Sequence, residues 1–146
     1  ISAGILTRLA ASVKLLFYNR QQPPVKENMM ITKAAARNAV SRPKVWGGEG
    51  ELAAKYCLGP DAAKDGENFA MVAEMTLAPG HSLGVHTHEN NEEIYVILAG
   101  LADYTDEHGT VHRLSAGDMT LTRRGQSHGI INPGPDPLVF LAAIAR

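Results

Sequence analysis

The chain has 146 residues, 45% apolar and 20% charged, with a formal net charge of −1. That length fits one domain with a sizeable core, and the balanced charge excludes a global basic field that would recruit nucleic acid. Cys57 is the sole cysteine, so no intrachain disulfide can form. It reads as a small packed thiol, and the expected location is cytoplasmic.

The first 26 residues hold Arg8, Lys14, Arg20 and Lys26 and no acid. Within them Leu6, Leu9, Val13 and Leu16 recur at the spacing of one helical face. This pattern predicts a basic amphipathic helix that ends before "QQPP". Arg8 and Lys14 interrupt any apolar run, so neither a membrane span nor a secretory signal is expected. A second, short helix is predicted over "TKAAARNAVS", residues 32–41. Residues 1–42 therefore read as a helical N-terminal extension, and residues 43–146 as the main domain.

From Val45 onward the helical period fades. One or two short strands are expected before the polar loop at 59–68. Turn signals then divide the chain into short runs: "FAMVAEMTL", "HSLGVHTH", "EEIYVILAG", "LADYT", "TVHRL", "MTLTRRG", "SHGIIN" and "LVFLAAIA". Short strands at regular spacing, with almost no helix between them, predict an all-β antiparallel sandwich or small barrel. Met71, Met75 and Met119 are assigned to its core.

Residues i and i+2 of a strand face the same way, roughly 6–7 Å apart. His86 and His88 therefore project together. Glu93, Tyr95 and Ile97 share one face of their strand, and Ile94, Val96 and Leu98 share the other. A strand apolar on both faces needs cover on both sides. Glu93 would enter a partly apolar interior, where a carboxylate is costly unless paired or bound to a cation. Imidazoles and a carboxylate converging there suit one divalent transition metal ion, and nitrogen and oxygen donors admit Mn, Fe, Ni, Zn or Cu.

The residues from about 69 to 144 resemble a small single-domain cupin. Gly80, His86, His88, Glu93 and Gly100 fit the first motif of that family, and Gly117, Gly125, His128 and Asn132 fit the second. Arg123 stands where the second motif usually has proline. The resemblance implies a double-stranded β-helix, or jelly-roll barrel. It also implies metal ligands at His86, His88, Glu93 and His128. Glu92 is adjacent, but the motif count chooses Glu93 and strand parity turns Glu92 outward.

The family's reactions include dioxygenation, decarboxylation, isomerisation and lyase chemistry, and some members only bind or store. The expectation is a small metalloenzyme acting on an oxygen-rich small molecule, such as a hydroxy or keto acid or a sugar-like compound. A non-catalytic binding or sensor role is the alternative. Similar oxalate decarboxylases carry an arginine three residues before the first motif histidine. Leu83 holds that position here, which argues against oxalate itself. Tyr95 and Arg123 are candidate pocket residues. His81, His108 and His112 are expected at the surface. The resemblance also implies a homodimer.

Overall fold

A computed structural model describes residues 30–62 and 68–146. The folded unit within it runs from Thr32 to Arg146. The basic helix expected near the N-terminus lies outside the described residues. Ten strands follow in chain order: β1 Val40–Pro43, β2 Glu51–Leu58, β3 Phe69–Leu77, β4 Ser82–Thr87, β5 Glu92–Ala99, β6 Leu101–Thr105, β7 Val111–Ser115, β8 Met119–Thr122, β9 Ser127–Ile131 and β10 Leu138–Ala145. They form a six-stranded sheet, β1-β2-β3-β10-β5-β8, and a four-stranded sheet, β4-β9-β6-β7. All pairings are antiparallel. This is the expected all-β jelly-roll barrel. No helix among the described residues is long and apolar enough to cross a membrane.

Alternation along each strand builds the core. On β3, Met71, Ala73, Met75 and Leu77 are buried; on β10, Leu138, Phe140 and Ala142; on β5, Tyr95 and Ile97. Leu83, Ala102, Tyr104 and Ile130 close the interior from the smaller sheet. Burying a large apolar side chain of this kind contributes on the order of 1.5–3 kcal/mol. The chain passes from the larger sheet to the smaller at Gly100, between β5 and β6. Gly100 has φ +83°, and a Cβ there would lie 2.6 Å from the carbonyl oxygen of Pro137. Only glycine meets both conditions without strain.

Three expectations need correction. Residues 32–41 form no helix. A single 3-10 turn at Ala34–Ala36 leads into β1, whose residues pair with Leu52, Ala53 and Ala54 of β2. Met119 is exposed rather than buried, because it pairs with Val96 and shares that residue's outward face. His81 is half-buried rather than at the surface, and its Nδ1 accepts a hydrogen bond from the Glu51 backbone N–H at 3.0 Å. His108 and His112 are exposed as expected.

Asn132, a residue of the second motif, is fully buried and serves the fold. Its side-chain nitrogen donates to the carbonyls of Leu77 (2.9 Å) and Asp136 (2.8 Å). Its Oδ1 accepts from the Gly134 N–H at 2.9 Å. These bonds tie the end of β3 to the turn before β10.

Candidate metal centre

Pairing of β4 with β9 sets His86 directly opposite His128. His88 follows the end of β4, where its backbone N–H donates to the Gln126 carbonyl. Glu93 arrives from β5 of the other sheet. Val85 and Thr87 point outward, as the period of two requires. His88, Glu93 and His128 are buried, while His86 is partly accessible.

The Nε2 atoms of His88 and His128 lie 3.0 Å apart, and those of His128 and His86 3.2 Å apart. Glu93 Oε2 lies 3.2 Å from His88 Nε2 and 3.1 Å from His128 Nε2. One donor atom from each of the four residues falls within 4.8 Å of all the others. Donors at about 2.1 Å from one ion stand roughly 3.0–3.4 Å apart for octahedral to tetrahedral angles. The four spacings between His128 or His88 and their neighbours, 3.0–3.2 Å, match.

The outer ring nitrogens explain why the inner ones face each other. His86 Nδ1 is 3.0 Å from the Gly84 carbonyl, and His88 Nδ1 is 2.6 Å from Asn91 Oδ1. His128 Nδ1 is 3.0 Å from the Thr122 hydroxyl, which is itself 2.8 Å from the Tyr104 hydroxyl. A carbonyl can only accept, so Nδ1 of His86 carries the proton and Nε2 presents a lone pair. Oriented the same way, three lone pairs and a carboxylate meet in a buried space, which is unfavourable unless a cation joins them. Glu93 Oε2 is buried and has no hydrogen-bond partner of regular geometry. The group can hold a metal.

Burial raises the Glu93 carboxyl's pKa, but the His128 and His88 ring nitrogens against Oε2 outweigh this and hold it below the usual range. The Glu93 hydrogen bond raises the pKa of His88. Burial lowers that of His86. Burial also pushes the Tyr95 phenol well above its ordinary value, helped by the charge on Glu93. Tyr95 therefore stays protonated.

A cavity of about 1020 Å³ reaches His86, His88, Glu93 and Tyr95. Arg123, the other sequence candidate, is exposed at the turn after β8 and does not line it. Arg42 and Trp46 are among the lining residues that escaped the sequence reading. Arg42 comes from β1. Trp46 comes from the 3-10 turn Val45–Gly47, and its ring stacks on His86 with centroids 4.9 Å apart and planes 5° from parallel. The Trp46 backbone is left-handed, with φ 53°, as is that of Lys44, with φ 47°. Such a conformation costs about 1–3 kcal/mol per residue and persists only where its surroundings enforce it. Part of that enforcement is Gly84 on β4, where a Cβ would run into the Trp46 carbonyl.

Fold, ligand geometry and sequence relationships converge on one family. The cupin domain family matches residues 73–144. An oxalate-binding protein of Thermotoga maritima is 40% identical over 98 residues, spanning 67% of this chain and 78% of that protein. The chain belongs to the cupin family. Among solved structures, one from Thermotoga maritima described as a predicted oxalate decarboxylase superposes with a TM-score of 0.72 at 34% identity. It covers 80% of this chain and 98% of its own. A Klebsiella pneumoniae protein with a double-stranded β-helix domain matches at TM-score 0.60 and 25% identity, over 81% and 90% of the two chains.

Proposed function

We propose that this cupin binds one divalent transition metal ion (Mn, Fe, Ni, Zn or Cu) through His86, His88, Glu93 and His128. In this reading it is a small metalloenzyme acting on an oxygen-rich small molecule, a hydroxy or keto acid or a sugar-like compound. The reaction belongs to the lyase or decarboxylase, isomerase or dioxygenase classes. The observation that carries the reading is the convergence of three Nε2 atoms and one carboxylate oxygen at ligand-to-ligand spacing. A bound metal would supply Lewis-acid polarisation of substrate oxygens. The chain's own residues hold and tune the site: Gly84, Asn91 and Thr122 fix the imidazoles, and Glu93 offsets charge. His128 is closed in while the cavity reaches His86, His88 and Glu93, so a small molecule approaches from the cavity.

Metal analysis of the purified protein should find about one transition metal ion per chain. The double variant His86→Ala, His128→Ala should contain none while keeping its β-sheet circular dichroism. Full metal content in that variant would overturn the assignment. A purely binding role is the second reading, supported by the name of the oxalate-binding relative. Turnover of a bound acid by the metal-loaded protein favours the enzyme, and tight binding without turnover favours the binder.

We also propose a homodimer. On the outer face of the larger sheet, Ile94 and Leu98 of β5 and Met119 of β8 remain exposed beside Val96. A continuous apolar strip of this kind suits a second copy of the chain.

A further inference from the structure

The cavity is far larger than a two-carbon diacid requires. Three of the candidate metal ligands, His86, His88 and Glu93, line it. Val45, Trp46, Leu52, Met71, Met75 and Leu83 give it an apolar flank. Among the described residues Arg42 is the one arginine or lysine lining it. Its Nη1 donates to the Tyr56 hydroxyl at 3.1 Å, and among the described residues no carboxylate pairs with it. The remaining guanidinium donors are free to take a planar anion, for which their fork geometry is suited.

Trp46 is the second unusual feature. Two consecutive-but-one left-handed residues and a glycine on the facing strand hold an indole over a candidate metal ligand. The residue nevertheless remains 65% exposed. An aromatic ring held this way and left open offers a flat surface to a planar ligand leaving the metal. Charge agrees with an acid. A divalent ion with three neutral imidazoles and Glu93 retains a net positive charge; Arg42 adds another and Glu89, also in the lining, offsets one, which leaves the cavity positive.

We propose that Arg42 and Trp46 form a second ligand subsite in this cavity, and that the ligand is an aromatic carboxylate. Its oxygen donors lie on the metal, its ring lies against Trp46 and its carboxylate lies on Arg42. This rests on the metal-binding reading and deepens it. The positive group comes from β1, whereas the position of the first-motif arginine in oxalate decarboxylases is held by Leu83, a buried apolar residue. A ligand that reaches Arg42 is one that also fills the apolar flank.

The test uses the full chain loaded with zinc, which undergoes no redox chemistry with phenols. Two probes share one chelating end: catechol, and 3,4-dihydroxybenzoate, which adds a carboxylate. Calorimetry should show the benzoate binding at least tenfold more tightly than catechol. Arg42→Gln should bring the two affinities together, leave catechol binding unchanged and keep the zinc content, which confirms an intact fold. Trp46→Leu should weaken both probes severalfold. Equal binding of the probes by the wild-type chain, or a preference that survives Arg42→Gln, overturns the Arg42 subsite. Unchanged affinities in Trp46→Leu overturn the aromatic wall. Zinc held without ligand preference defeats this inference alone, whereas a chain that holds no zinc defeats the metal reading with it.

Discussion

The Thr122 hydroxyl stands between His128 Nδ1 and the Tyr104 hydroxyl, in a place where the residue is 2% exposed. Thr122→Val keeps the shape and leaves the His128 N–H buried without an acceptor. Loss of such an outer partner should lower zinc affinity about 10–100-fold, read by competition with a chelator, while the fold persists. Unchanged affinity would mean that His128 is oriented by packing alone. Protons compete with the metal for the same atoms. His88 holds its proton above the ordinary 6.5 because the Glu93 carboxylate lies against it. Zinc affinity should therefore rise with pH through and beyond that value, then level off, in a titration between about pH 5.5 and about pH 8. An affinity that falls across this range would exclude His88 as a ligand. All four proposed ligands were legible in the sequence, because motif spacing and strand parity pointed to the same side chains. Arg42 and Trp46 were not legible. The candidate ligands they accompany begin 40 positions beyond Trp46, at His86, and no local period links β1 to β4.

At the scale of elements, the strands after residue 68 follow the turn signals almost residue for residue. Glycine, proline and asparagine mark ends that tertiary packing then keeps. Residues 32–41 went the other way. Their alanines favour helix, but that preference is only a few tenths of a kcal/mol per residue; Ala34–Ala36 stop at one 3-10 turn, and Val40 and Ser41 pair with β2 instead. Pro43 fits there because an edge strand tolerates a missing N–H. Met119 was misplaced because its run was read by composition, whereas its register with Val96 decides its face. The seam between β4 and the Val45–Gly47 turn offers a test of element packing. Gly84→Ala places a methyl against the Trp46 carbonyl. The turn must move and the stack on His86 must open. Because Trp46 is the only tryptophan, the expected red shift in emission reports this directly. An unshifted spectrum would show that the seam has slack.

For the whole molecule, the outward strip on β5 and β8 decides the assembly. The wild-type chain should sediment as a dimer at micromolar concentration. Leu98→Lys with Met119→Lys should give a folded monomer, since both side chains are already exposed and the substitutions leave the core untouched. A wild-type monomer would remove the dimer. The four candidate ligands also have a consequence for the order of assembly. His86 and His128 belong to one sheet, His88 directly follows one of its strands and Glu93 belongs to the other sheet, with the outermost two 42 positions apart. No short segment gathers them. The chain must close its barrel before the donors meet, so an ion would arrive as the last part fitted rather than as a seed for folding. Once there, it would clasp the two sheets together, and separating them would mean breaking its bonds first. Metal loss would then report the breathing of the barrel itself.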